Sequence, residues 1–204
     1  MSRCLIFGAL AVERLPIPQR EDDFVVAADG GFDRAMALGI RPDLVVGDYD
    51  SLGRVPEFSP RIDLPVRKDM TDVARAVEEA MARGYRELHV FGAVGGKLDH
   101  TVANIQIAGD LADRGARATF YGPENFSVIR DGEMTFPPSS RGRISVFSLS
   151  ERSEDVTISG LSYELSGAVL TAAIPLGVSN EFVGKPARIS VGRGSLLIVW
   201  QGQK

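Results

Sequence analysis

The sequence predicts an α/β fold in two parts: an N-terminal, mostly parallel sheet flanked by helices, then a small C-terminal antiparallel β-sandwich or barrel. Three observations carry this prediction. Up to about residue 122, short apolar runs alternate with segments of helical period, the pattern of parallel strands joined by crossover helices. Each of those helical segments stops beside a glycine, at Gly39, Gly84 and Gly115, where a helix C-terminus is expected. From about Phe126 onward the helical period vanishes, and short alternating stretches divided by turn residues replace it.

In the first half, Cys4–Phe7, Phe24–Ala27, Leu44–Val46, Leu88–Phe91 and Ala118–Tyr121 are predicted strands, apolar throughout or nearly so, as strands covered on both faces should be. Phe32–Leu38, Val73–Ala82 and Thr101–Arg114 are the predicted helices between them. The second half offers Ser127–Arg130, Glu133–Phe136, Ile144–Leu149, Val156–Ser159, Val169–Ala172, Arg188–Val191 and Leu196–Trp200 as short strands. Turn pairs such as Asp131-Gly132 and Ser159-Gly160 separate them. The segment Gly122-Pro123-Glu124-Asn125 is the expected junction, dividing the chain into domains 1–123 and 124–204.

Bulk properties exclude several function classes. A formal net charge of −4, with arginines scattered singly, argues against a nucleic-acid partner, which calls for a basic face. The single cysteine, Cys4, forbids an intramolecular disulfide and fits a reducing compartment. Its apolar setting reads as a buried thiol rather than a nucleophile. Two histidines and one cysteine make a poor zinc site. Arg3 and the apolar run Cys4–Val12 faintly imitate a signal peptide, but a cut there falls too early and removes a strand. No apolar run approaches the roughly 18 residues of a membrane span. A cytoplasmic protein without membrane contact is expected.

Four acidic stretches stand out in the first hundred residues: Ala28-Asp29-Gly30-Gly31, Gly47-Asp48-Tyr49-Asp50-Ser51, Lys68-Asp69-Met70-Thr71-Asp72 and Gly95-Gly96-Lys97-Leu98-Asp99-His100. Carboxylates gathered without matching arginines repel one another unless a cation lies between them, and Mg2+ suits oxygen ligands shared with substrate phosphates. Asp48 and Asp50, two apart after an apolar run, point the same way if the chain there is extended; the alternative is a turn leaving the strand. Asp69 or Thr71 caps the following helix, or helps bind phosphate with Lys68 beside Asp72. The Gly95-Gly96-Lys97 loop can bring backbone amides to a phosphate. It is one residue short of a Walker A loop and has Leu98 where that motif needs serine or threonine. Asp99 doubles as a candidate N-cap, and His100 as a structural, binding or basic group. Asp29 with Gly30 either lines a ligand or caps a tight turn. Late in the chain, Leu176–Phe182 reads by itself as an ordinary loop, and Trp200 as a core residue.

In this order the stretches resemble thiamine pyrophosphokinase (thiamine diphosphokinase), whose members show A-D-G-G, G-D-x-D-S, K-D-x-T-D, G-G-R-x-D-H and a late S-N-E-F-type loop. The resemblance covers nearly the whole chain. It implies an N-terminal domain binding ATP and Mg2+ and a small β-domain for thiamine recognition and dimerisation. It also implies a homodimer whose sites combine one subunit's α/β domain with the partner's β-domain. The reaction moves pyrophosphate from ATP to the thiamine hydroxyl, giving thiamine diphosphate and AMP. Carried over by position, Asp48, Asp50 and Asp72 would hold the metal, with Asp99 joining them as catalytic. Asp29, Gly30, Lys68, Asp69, Thr71, Gly95, Gly96, Lys97 and His100 would bind ATP and its phosphates. Ser179, Asn180 and Trp200 would receive thiamine. Lys97 departs from the family's usual arginine, replacing a bidentate fork with a point charge. Two other readings remain: a related pyrophosphokinase acting on another alcohol such as a hydroxymethylpterin, and a non-catalytic ligand sensor.

Overall fold

The computed structural model describes residues 2–50, 52–65 and 69–202; Lys68 lies outside them. The chain forms two compact units, Met1–Ile107 with Ala118–Gly122, and Ala108–Arg117 with Pro123–Lys204.

The first unit contains strands β1 (Cys4–Phe7), β2 (Phe24–Ala28), β3 (Leu44–Gly47), β4 (Arg61–Asp63), β5 (Glu87–Phe91) and β6 (Arg117–Tyr121). Its helices are α1 (Gly31–Ala37), α2 (Asp72–Ala82) and α3 (Leu98–Asp113), whose last turns group with the second unit. The strands lie in the order β6-β5-β1-β2-β3-β4, and β1 pairs in parallel with both β2 and β5. Strand β1 is apolar and fully buried: Cys4, Leu5, Ile6 and Phe7 have no exposed surface, and burial pushes the Cys4 thiol pKa far up. Strand β4 has no counterpart in the expected elements. It has three residues, two of them charged and exposed, so no apolar run announces it.

That strand order matters for function. Successive strands run from β1 to β4 on one side, while β5 and β6 lie on the other, so the order reverses between β1 and β5. In open parallel sheets a ligand crevice opens beyond the carboxyl ends of the strands at such a reversal. The register aligns those ends, with Phe7 opposite both Ala27 and Phe91, and Ala28 opposite Val46.

The second unit is a sandwich of two antiparallel sheets. One has the order β12-β9-β14-β7, from β7 (Glu124–Arg130), β9 (Arg143–Ser148), β12 (Gly177–Glu181) and β14 (Ser195–Gln201). The other is β11-β10-β13-β8, from β8 (Glu133–Phe136), β10 (Arg152–Ser159), β11 (Leu165–Thr171) and β13 (Ala187–Ser190). Ile144, Val156, Ile158, Ile189, Leu196 and Ile198 form much of its core. Strand β12 falls in the segment read as a loop. Its register against β9 slips between Gly177 and Asn180, and Ser179 has φ 61°. That irregularity interrupts the period-two pattern by which a strand is read from sequence. No helix of the described residues is long and apolar enough to cross a membrane.

Candidate functional site

The chain leaving β1 and the chain leaving β5 run side by side. Gly8 N–H donates to the Phe91 carbonyl at 2.7 Å, and Leu10 N–H to the Gly92 carbonyl at 2.9 Å. Gly92 has φ 65°, and a Cβ there would meet the Gly8 and Leu10 carbonyls at 2.6 and 2.7 Å, so only glycine fits. Above this floor lies a cleft of about 290 Å³ at the order reversal, lined by Asp29, Thr71 and Asp72 from the segments after β2 and β4 and by Gly96, Lys97 and His100 from the segment after β5. Asn104 also lines it; its side-chain amide donates to the Ala93 carbonyl at 2.8 Å and holds the loop after β5. Asn104 was missed from sequence, although a polar residue on the inner face of a predicted helix was a usable signal.

Beside the cleft, one carboxylate oxygen from each of Asp29, Asp48 and Asp50 lies within 4.8 Å of the other two. Asp29 is buried, Asp48 half-buried and Asp50 exposed. Asp29 therefore belongs to both the trio and the cleft. Gly47, at the end of β3, makes this possible: a Cβ on it would sit 3.0 Å from the Asp29 Cα. Three hard oxygen donors at this spacing are a fitting cradle for Mg2+, which takes oxygen ligands at about 2.1 Å and keeps several waters.

Two expectations about this region change in their physical basis. Asp48 and Asp50 do not share a face through extended chain. Tyr49 between them is left-handed, with φ 64°, and the Asp50 N–H donates to Asp48 Oδ1 at 3.3 Å, so a turn brings the carboxylates together. Asp29 is not a cap either, because Gly30 occupies the N-cap of α1 and makes no side-chain capping bond. Asp72, expected in the metal set, lies outside the trio; it opens α2 and lines the cleft. Thr71 is the cap of that helix, its hydroxyl accepting the Ala74 N–H at 3.1 Å.

Asp99 sits in the first turn of α3, exposed, and its Oδ1 accepts the adjacent His100 N–H at 2.9 Å. It is not among the residues lining the cleft. Gly95 and Asp69 are exposed and also outside that lining, and Gly30 is buried at the N-cap of α1.

Tyr49 was passed over in the sequence. Its hydroxyl donates to Asp63 Oδ1 at 2.9 Å, and Arg61 Nε donates to the same oxygen at 3.0 Å. Burial first, then the Asp63 carboxylate, raises the Tyr49 phenol pKa. The Tyr49 bond, with Arg61 adding to it, lowers that of Asp63.

In the second unit a smaller pocket of about 210 Å³ is lined by Glu124, Arg143, Ser145, Ser179, Trp200 and neighbours. Trp200 borders it and also packs edge-on against Phe136 at 5.3 Å, so it serves pocket and core together. Ser179 is exposed, and its N–H donates to Ser145 Oγ at 3.1 Å. Asn180 behaves differently. It is 5% exposed; its Oδ1 accepts from the Tyr163 and Glu181 N–H groups, and its Nδ2 donates to the Tyr163 carbonyl at 2.7 Å. The amide expected to read a ligand is committed to backbone and does not line the pocket.

The matching family models divide along the chain: thiamin pyrophosphokinase, catalytic domain, over residues 19–120, and thiamin pyrophosphokinase, vitamin B1 binding domain, over residues 134–196. The chain belongs to the thiamine pyrophosphokinase family. Thiamine pyrophosphokinase of Bacillus subtilis is 24% identical over 189 residues, covering 85% of each chain. The crystal structure of the Bacillus subtilis enzyme superposes with a TM-score of 0.84 at 22% identity, covering all of both chains. The solved structure of thiamin pyrophosphokinase from Candida albicans reaches 0.76 at 14% identity, covering 98% of this chain and 89% of that one. These last two likenesses show the α/β-plus-sandwich fold. The family makes this protein a transferase with thiamine and ATP as substrates, and these relatives lend no support to a pterin-directed enzyme or a non-catalytic sensor.

Proposed function

We propose that the protein transfers the pyrophosphoryl group of ATP to the thiamine hydroxyl in a Mg2+-dependent reaction, releasing AMP. The trio of Asp29, Asp48 and Asp50 beside the cleft carries this reading. Phosphoryl-type transfer asks a protein for positioning and charge neutralisation more than for covalent chemistry. Bound Mg2+ supplies that neutralisation at the phosphate oxygens. Asp29, Asp48 and Asp50 would hold it, and Asp72 lines the cleft in which the phosphates would lie. Lys97 and the Gly96 backbone bind the phosphate chain from the segment after β5, and His100 adds a polar contact there. The thiamine oxygen forms a bond to the β-phosphorus, the bond from that phosphorus to the oxygen of AMP breaks, and the hydroxyl proton passes to solvent or a nearby carboxylate.

On the thiamine side, Ser179 and Trp200 face the ligand, and Asn180 shapes the strand that presents Ser179. The resemblance further supports a homodimer with composite sites, and the lone buried thiol Cys4 fits a cytoplasmic setting. Mixing inactive Asp50→Asn and Trp200→Ala chains tests the dimer, because exchanged dimers would regain one intact site. No recovery after verified exchange sinks the composite arrangement.

The deciding assay incubates the protein with ATP, Mg2+ and thiamine. Thiamine diphosphate and AMP should appear in equal amounts; ADP with thiamine monophosphate would overturn the proposal. Asp50→Asn should fold normally and lose roughly a hundredfold in turnover, the scale of one preorganised electrostatic group. A loss within about threefold would show that the trio is not the metal site.

A further inference from the structure

Five residues other than glycine have positive φ among the described residues: Asp29, Tyr49, Asp131, Asp155 and Ser179. Four are aspartate or serine, whose short polar side chains suit that region better. A bulky aromatic there is a genuine outlier, and such strain persists only where the surroundings over-determine it. The surroundings of Tyr49 do so. Its side chain is 5% exposed and packs with Ala27 and Val45, flanked by Phe32, Leu52 and Phe58. Its hydroxyl reaches Asp63 Oδ1 at 2.9 Å. Asp63 ends β4 opposite Gly47, and the Leu64 N–H donates to the Gly47 carbonyl at 2.9 Å. Strand β4 is thus fastened to the residue from which the acidic turn departs.

The left-handed residue has a geometric consequence. Two residues of extended chain advance about 6.6 Å, so a straight continuation of β3 would carry Asp50 away from Asp29. The turn at Tyr49 folds it back until all three carboxylates lie within 4.8 Å. A residue needed only for the core gains nothing from a hydroxyl, and one needed only for the turn would be glycine.

We propose that Tyr49, tethered by Asp63, is a positioning residue that holds Asp48 and Asp50 in cation-binding geometry before the metal arrives. This rests on the proposed Mg2+ site. The test titrates each protein with Mn2+ alone and reads free Mn2+ by electron paramagnetic resonance, with thermal unfolding of the metal-free protein alongside. Tyr49→Phe and Asp63→Ala should each weaken Mn2+ binding by roughly three- to tenfold, the range for one lost hydrogen bond. The double variant should be no weaker than either single, since both remove the same bond. Asp63→Asn keeps an oxygen that accepts from the phenol and should recover most of the affinity. In turnover, Tyr49→Phe should raise the Mg2+ requirement while leaving kcat at saturating Mg2+ nearly unchanged. Wild-type Mn2+ affinity in Tyr49→Phe, or an Asp63→Asn variant as weak as Asp63→Ala, overturns the positioning role. A wild-type protein that takes up no Mn2+, with or without ATP, instead removes the metal site on which the role depends.

Discussion

A β-carbon on Gly47 would lie 3.0 Å from the Cα of Asp29 and 3.1 Å from its backbone nitrogen. The two strand ends close to this distance because Asp29 N–H donates to the Val46 carbonyl at 2.8 Å. The absent side chain at position 47 therefore sets where the Asp29 carboxylate stands relative to Asp48.

Gly47→Ala should separate these strand ends by a few tenths of an ångström. Overpacking of this kind costs about 1–3 kcal/mol, which leaves the fold intact. Misplacing a catalytic group by small distances is expensive in rate, so turnover should fall by roughly tenfold or more. Steady-state kinetics beside a denaturant melt would separate the effects. Unchanged turnover would mean that the trio tolerates displacement and that its spacing is not critical.

Ser179 and Asn180 should separate cleanly. Asn180→Ala strips partners from the backbone of Tyr163 and Glu181; unsatisfied buried groups cost about 1–3 kcal/mol each, so its melting temperature should drop. Ser179→Ala removes an exposed hydroxyl lining the smaller pocket and should leave stability unchanged while weakening thiamine binding by calorimetry. An Asn180→Ala protein as stable as wild type would contradict the staple role.

Stability should also fall in mildly acid solution through His89. It is 8% exposed, with Nδ1 2.9 Å from the Tyr121 hydroxyl and Nε2 3.2 Å from Glu87 Oε1. Burial lowers its pKa, with Glu87 opposing in part. The folded state thus keeps the ring neutral where the unfolded chain, with a pKa of about 6.5, takes up a proton. The resulting stability is complete above about pH 6.5 and is lost as pH falls from there through the lower folded value. Urea midpoints at pH 7.5 and 5.5 should differ more for wild type than for His89→Gln. Equal shifts would assign the acid sensitivity elsewhere.

Much of this protein was determined by sequence alone. The buried strands β1, β2 and β3 are continuous apolar runs, and β5 is broken only by His89, as burial on both faces requires. Helix α2 carries its own cap in Thr71 and its own stop near Gly84. The acidic stretches pointed to cation and phosphate chemistry, since clustered carboxylates beside glycines have few other uses. Tertiary structure decided which carboxylates meet. Asp29 comes from a different strand than Asp48 and Asp50, and its place in the trio depends on the bare Cα of Gly47 and on the register of β2 against β3. Asp72, close to the same motifs in the chain, lines the cleft instead. Strand β4 and the Tyr49–Asp63 bond were invisible because three residues, two of them charged, carry no periodic signal, and a left-handed tyrosine looks like any other. Asn180 shows the same division: its identity was plain in the sequence, but only the fold commits its amide to Tyr163 rather than to a ligand. Local pattern records what each segment buries, whereas contacts between distant segments depend on distances that no single segment encodes.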